Sequence, residues 1–293
     1  MARGGQSVDK NIYQSGDYKY IPMTSMTSRT GEEVTNDVYY YTDQIVNVCF
    51  IGYPDTDDWV LIDTGLPYAA EEIMNVVHQR FGEDSKPKCI ILTHAHFDHV
   101  GGAVDLVKRW QVPVYIHALE IPYVTGKKSF PTPDATVEGG LLAKISKMYP
   151  NEPINLGDAI HPLPSDQTVP GLKEWRWIHT PGHSPGHISL FREKDALLLS
   201  GDAFITVRQD SFYNVLMQTP EINGPPRYLT TDWKEAENSV KKLAKLQPEI
   251  VVSGHGIALT GDVLEEGLEK LVENFSDVAI PDYGRFIDDE YKH

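Results

Sequence analysis

The sequence predicts an α/β protein folded as a four-layer αββα sandwich, with its reactive site at one edge of the two sheets. Three observations carry the prediction. Two apolar strands end in a carboxylate: Leu61-Ile62 runs into Asp63, and Leu198-Leu199 leads to Asp202. Two more, each preceded by a helical pattern, end in imidazole: Ile90-Ile91-Leu92 leads to His94, and Ile250-Val251-Val252 to His255. One of each kind falls in either half of the chain. Each half therefore reads as a sheet with outer helices, and stacking the two brings the strand ends to a common edge. The third observation is the stretch His94-Ala95-His96-Phe97-Asp98-His99, four ligating side chains placed at one of those ends.

Taken in order, residues 1–20 are polar with Gly and Ser and read as a loose N-terminal arm, and 21–293 as a single domain. Val38–Tyr41 is an aromatic strand, Val46–Ile51 a second, Tyr53–Asp58 a polar turn and Trp59–Ile62 a third. Ile73, Val76, Val77 and Phe81 at helical spacing lead into the strand Cys89–Leu92, and Val100, Ala103, Val104 and Val107 mark the next helix. Val112–Ile116 is a short strand ending at His117. Residues 118–155 read as an insertion, broken by Pro122, Gly126, Pro131 and Pro133 before a short amphipathic helix with Leu141, Leu142, Ile145 and Met148. It is either a lid or a packing elaboration. Trp175–Ile178 then delivers His179-Thr180-Pro181-Gly182-His183-Ser184-Pro185-Gly186-His187, followed by strands Ile188–Phe191 and Ala196–Leu199 and a last helix with Ala236, Val240, Leu243 and Leu246.

The chemistry concentrates at the histidine-rich stretch. In extended backbone residues i and i+2 project to one side, so the imidazoles of His94 and His96 can converge on one ion. Asp98 and His99 come where the chain turns into a helix, and so approach from another direction. Gly101-Gly102 removes side chains where the first helical turn must pass close by. Crowded imidazoles gain little from one another without a cation, which makes a metal site the better reading than a structural loop.

Composition sets the outer limits. With 293 residues and 41% hydrophobic content the chain can bury a real core. Its apolar runs are far short of a membrane span, and Met1–Gln6 leads into polar residues without a signal-peptide core, so a cytoplasmic location and no membrane partner are expected. The two cysteines, Cys49 and Cys89, lie in apolar runs and read as buried thiols. A formal charge of −16 would repel a polyanion, which excludes nucleic acid as the expected partner and leaves a small molecule. A homodimer is compatible with all of this.

At this point the residues resemble a family. His94-Ala95-His96-Phe97-Asp98-His99, His183, Asp202 and His255 match in type and order the metal-binding motifs of the metallo-β-lactamase superfamily, and Leu61-Ile62-Asp63-Thr64-Gly65 is similar to its early strand-end motif. The likeness spans about residues 38–260. Carried over position by position, it assigns His94, His96 and His183 to one metal and Asp98, His99 and His255 to another, with Asp202 bridging. Asp98 would also orient the nucleophile, as the catalytic residue. Asp63 and His187 would hold ligands in place rather than bind metal. His117, His161 and His179 fall outside the set. Imidazole and carboxylate suit two divalent ions, Zn²⁺ first and also Fe or Mn, and a hydroxide bridging them would attack at neutral pH.

Departures from the pattern narrow the branch. Neither cysteine stands where a thiolate ligand would be expected, and Asp202 supplies a bridging carboxylate. The pattern is thus similar to the glyoxalase II and lactonase-like branches, and β-lactamase activity is disfavoured. About forty residues follow His255, too few for the helical domain that holds glutathione in glyoxalase II. The expected reaction is hydrolysis of a carboxylic ester, lactone or thioester. Pocket walls are expected from Phe204 to Tyr228, with Phe204, Phe212, Tyr213, Met217 and Tyr228, although these aromatics also fit a plain core. The alternative is a persulfide dioxygenase, which shares the fold and several ligands and uses a single iron.

Overall fold

Strand β3 (Val46–Ile51) shows how the layers arise. All six of its residues are buried, and they alternate: Val46, Val48 and Phe50 join the core beneath the helices, whereas Cys49 and Ile51 point into the space between the sheets. A period of two buried on both faces makes a strand of an inner layer. The computed structural model describes residues 11–20, 24–137, 143–144, 146–207 and 220–287. Among them β3 lies in a seven-stranded sheet whose spatial order follows the chain: β1 (Gly31–Thr35), β2 (Val38–Asp43), β3, β4 (Val60–Ile62), β5 (Ile90–Ile91), β6 (Val114–Ile116) and β7 (Ile160–Pro162).

The second sheet is ordered β15 (Leu259–Thr260), β14 (Ile250–Ser253), β11 (Leu197–Gly201), β10 (Ile188–Arg192), β9 (Leu172–His179), β8 (Thr168–Val169). A ribbon of β12 (Ile205–Val207) and β13 (Pro220–Asn223) stands beside it. The expected half-repeat is visible in the pairing. In the first sheet β4 lies parallel to β5 through helix α1 (Ala70–Phe81); in the second β11 lies parallel to β14 through helix α4 (Trp233–Ala244). Each crossover pair thus places a strand ending in Asp beside a strand leading to His. The four-layer αββα expectation holds.

Helices α2 (Phe97–Val100) and α3 (Ala103–Trp110) complete the first outer layer. Gly101 and Gly102 meet the role expected of them: a Cβ on Gly101 would lie 2.1 Å from the Leu66 carbonyl carbon, and one on Gly102 2.7 Å from the Thr64 oxygen. The chain after Asp63 is thereby laid against the ligand-bearing turn. Thr64 N and Oγ1 both donate to the His99 carbonyl at 2.8 Å.

Within residues 11–20 Tyr13 and Asn155 exchange backbone hydrogen bonds of 2.9 Å, and Tyr18 is buried in the first core. Two expectations are corrected. The chain does not end its helices at Ala244, because α5 (Gly261–Glu273) and α6 (Phe275–Ala279) follow, burying Leu264, Leu268, Leu271 and Phe275 against the second sheet. Met148, expected on an apolar helix face, is 81% exposed in a short 3₁₀ turn. Leu141, Leu142 and Ile145 lie outside the described residues. The flanks of the 118–155 insertion are firmly seated, with Tyr123, Val124 and Ile154 in the first core. Both cysteines are buried free thiols, and among the described residues no helix is long and apolar enough to cross a membrane.

Candidate metal centre

Strand ends converge where the two sheets meet. The chain leaving β5 supplies Thr93 and His94, then His96 at the start of α2, with Asp98 and His99 in its first turn. β9 leads into the loop carrying His183, β11 ends next to Asp202, and β14 ends just before His255. These seven side chains are all buried, none more than 3% exposed. They form three overlapping clusters, His94/His96/His183, His94/His99/Asp202 and Asp98/His99/His255, with the ligating atoms of each within 4.8 Å of one another.

Hydrogen bonds on the far side of each ring fix which nitrogen faces inward. His99 Nδ1 meets Asp63 Oδ2 at 2.8 Å, so it carries the proton and turns the Nε2 lone pair to the site. His255 Nδ1 donates to the Ile45 carbonyl at 2.9 Å with the same result. Thr93 Oγ1 donates to Asp63 Oδ2 at 2.7 Å, leaving its lone pairs to accept from His94 Nδ1 at 3.0 Å. Thr230 likewise donates to the Pro226 carbonyl at 2.8 Å and accepts from His183 Nδ1 at 3.1 Å. Four imidazoles therefore turn their Nε2 atoms to one space. His96 turns Nδ1 instead, 2.9 Å from His183 Nε2.

The residues present fit metal ions. His94 Nε2, His99 Nε2, His255 Nε2, Asp98 Oδ1 and both Asp202 oxygens are buried without a hydrogen-bond partner, a costly arrangement that a cation would resolve. Asp202 sits between the clusters, with Oδ2 3.3 Å from His183 Nε2 and 3.4 Å from His255 Nε2, and Oδ1 3.5 Å from His99 Nε2. Burial and the mutual repulsion of the rings hold His94 and His183 well below the usual histidine range, and burial takes His96 to about 4. These three offer neutral lone pairs. For His99 and His255 burial acts the same way but is outweighed by Asp202, with Asp63 adding to His99 and Asp98 to His255. His99 is held well above the histidine range and His255 is raised to about 9. The second cluster thus draws positive charge.

Asp63 and His187 each contact the segments that carry the candidate ligands. Asp63 adopts a left-handed backbone, φ 60°, and gathers Thr93 N, Thr93 Oγ1 and His99 Nδ1 on its two oxygens. His187 Nε2 accepts from Asp202 N at 2.8 Å, and its Nδ1 donates to the Thr180 carbonyl at 3.1 Å. Burial lowers it to about 3, so it stays a neutral acceptor that orients the Asp202 backbone. His117 and His179 stack on each other 4.3 Å apart outside the clusters, and His161 packs beside Tyr115.

The expected pocket wall is redrawn. Phe204 is fully buried in the core between the second sheet and its helices, so it is a packing residue rather than a wall. Phe212, Tyr213 and Met217 lie outside the described residues. Tyr228 is near the site: burial raises its phenol, with Tyr149, Asp98 and Asp202 adding to the effect, and its ring meets Tyr149 edge-on at 5.7 Å. Tyr149 and Tyr18 are buried phenols too, raised chiefly by burial, with Asp17 and then Asp98 adding to Tyr18 and Asp98 to Tyr149. Sequence reasoning missed both, because one lies in the presumed arm and the other in the presumed insertion.

The model of the metallo-β-lactamase superfamily matches residues 41–255. The chain belongs to that superfamily. It is 46% identical to the probable metallo-hydrolase YflN of Bacillus subtilis (strain 168) over 260 residues, 88% of this chain and 98% of that protein. Among solved structures, the BLEG-1 B3 metallo-β-lactamase is 26% identical with a TM-score of 0.54, covering 75% of this chain and 90% of its own. TTHA1623, solved in a di-iron-bound form, is 28% identical with a TM-score of 0.52, covering 78% and 94%. This superfamily member is accordingly a metallo-hydrolase, and its buried His/Asp clusters suit divalent metal.

Proposed function

We propose that this metallo-hydrolase cleaves a carboxylic ester, lactone or thioester at a dinuclear centre. His94, His96 and His183 would hold one ion and Asp98, His99 and His255 the other, with Asp202 placed between the two sets. The observation that carries the reading is the set of partnerless inward atoms on both sides of Asp202, too many for one tetrahedral ion. When bound, two such ions would supply Lewis acidity toward a carbonyl oxygen and a water of lowered pKa.

The chain's own groups do the rest. Asp98 would hold the second ion through one oxygen and orient the attacking water with the other; its Oδ2 lies 3.4 Å from His255 Nε2. Tyr18, Tyr149 and Tyr228 are buried, and their phenols, raised chiefly by burial, stay protonated at neutral pH. The net charge of −16 disfavours a phosphodiester.

The test is elemental analysis combined with a hydrolysis screen over lactones, aryl esters, thioesters, phosphodiesters and a β-lactam. Close to two ions per chain and turnover of a lactone or ester, abolished by chelation, are expected. A single iron with oxygen uptake on a persulfide would move the protein to the dioxygenase reading. Phosphodiester turnover without any ester or lactone turnover would overturn the substrate class.

A further inference from the structure

Glu120 lies at the start of the 118–155 segment, where sequence gave it no role, and it is completely buried. A carboxylate there is expensive unless several donors surround it. Three do. Ala95 N donates to Oε2 at 3.1 Å, while Ser184 Oγ and Gly186 N donate to Oε1 at 2.8 and 2.7 Å. Ala95 stands between His94 and His96, and Ser184 and Gly186 follow His183. Each oxygen is thus committed to one of the two loops that supply the first cluster.

The close approach is itself built in. A Cβ on Gly186 would lie 2.7 Å from Glu120 Cγ and 3.0 Å from Glu120 N, so only glycine lets the His183 loop settle onto this side chain. Nearby, the two sheets are also joined by Ile188 N donating to the Thr93 carbonyl at 3.0 Å, but that bond lies on the strand side of both loops. We propose that Glu120 is a positioning residue that clamps the His94/His96 loop to the His183 loop and so sets the spacing of the first metal cluster. The second cluster gains nothing from it, because Asp98, His99 and His255 are held by α2, Asp63 and Ile45.

The pattern of donors makes the consequence of Glu120→Gln specific. All three neighbours donate, so both carboxylate oxygens are needed as acceptors. A glutamine keeps one oxygen, which goes to the side with two donors, and its NH₂ then opposes Ala95 N–H. The bond to the His94/His96 loop is lost while the His183 loop keeps its anchor.

This rests on the dinuclear reading, and the experiment separates the two. As-purified holoprotein of wild type, Glu120→Gln, Ser184→Ala and His255→Ala is challenged with a graded chelator series, and the ions retained per chain are counted. Glu120→Gln should lose one of its two ions at about 10- to 100-fold lower chelator than wild type, with the other ion leaving at the wild-type concentration. His255→Ala, which lacks a ligand of the second cluster, retains the first ion; combining it with Glu120→Gln should shift that remaining ion. Ser184→Ala leaves Gly186 N on Oε1 and should shift the same ion by less. Retention of both ions at wild-type chelator concentrations in Glu120→Gln, or equal weakening of both, overturns the proposal. If Glu120→Gln does not fold, Ser184→Ala decides by the same criterion. A wild type holding a single ion would defeat the dinuclear reading alone, and the clamp would then predict the shift for that ion.

Discussion

In the first half of the sandwich buried carboxylates, with the hydroxyls of Thr64 and Thr93, brace the structure around the ligands, whereas in the second half the bracing side chains are mainly hydroxyls. Asp63 and Glu120 are each buried and each gather three donors, and Asp43, also buried, accepts from Leu66 N at 2.9 Å. On the other side Thr180, Ser189, Ser200, Thr206, Thr230 and Ser253 are buried and bonded mainly to one another and to carbonyls. Asp202 is the single buried carboxylate of that half among the described residues, and it belongs to the centre itself. A carboxylate collects several donors and fixes histidine tautomers firmly, at a desolvation cost that depends on pH. A hydroxyl both gives and accepts, costs less to bury and does not titrate.

The largest effect is expected where the two halves share a residue. Asp202→Ala should lower hydrolysis by about 10³-fold or more and reduce the ions retained per chain, since its oxygens face His99, His183 and His255 together. His117→Ala, outside the clusters, should leave metal content and rate unchanged. Equal metal loss in the two variants, counted by elemental analysis, would break the assignment of Asp202 as the shared group.

Next comes the pH dependence that a buried carboxylate imposes. Burial raises Asp43 from the usual 3.8 to about 6. Because the folded-state pKa is the higher one, its contribution to stability is fully present below pH 4 and is lost as pH rises through 6. At pH 8 the ionised group costs up to roughly 3 kcal/mol, at 1.36 kcal/mol per unit. Asp43→Asn keeps an acceptor for Leu66 N and should therefore unfold at higher denaturant than wild type at pH 8. Near pH 4 the two should coincide. A variant advantage that is the same at both pH values would show that the charge is not its origin.

How much of this was legible follows from where the residues sit. His94, His96, Asp98 and His99 are close in sequence, and their convergence needs only the two-residue period of a strand and one turn of helix, so local geometry reveals them. Asp202 and His255 are far apart, yet each follows an apolar strand, and the repeated half makes their meeting readable. Glu120 was invisible because its partners are 25 and 64–66 residues away, and nothing near it in sequence marks it as buried. Tyr18 and Tyr149 were hidden for the same reason. Strand β1 escaped because Gly31-Glu32-Glu33 is an exposed edge without an apolar face. Phe204 opens the stretch to Tyr228 expected to wall the pocket, where a wall and a plain core were equally open, and only packing shows that it points to the helices. Helix α5 did carry its signal, Leu264, Leu268 and Leu271 at helical spacing, beyond the last strand considered.

The smallest effect is expected in the hydroxyl network, and it sharpens the contrast most directly. Thr206 Oγ1 donates to the Ile257 carbonyl at 2.7 Å and lies 2.9 Å from Ser253 Oγ, which in turn donates to the His255 carbonyl at 2.6 Å. Gly256, with φ 102°, brings the backbone against it: a Cβ there would come within 2.3 Å of Thr206 Oγ1. Thr206→Val keeps the shape and the backbone bond from Thr206 N to the His255 carbonyl, and leaves the Ile257 carbonyl without this donor. The cost should be about 1–2 kcal/mol in denaturant unfolding. It should be the same at pH 5 and pH 8, because no group in this network changes charge between them. His255 remains anchored by Ile45, so the ions retained per chain should not change. A cost that varied with pH in step with Asp43 would mean that the two halves are coupled through a titrating group, and the division between carboxylate and hydroxyl bracing would fail.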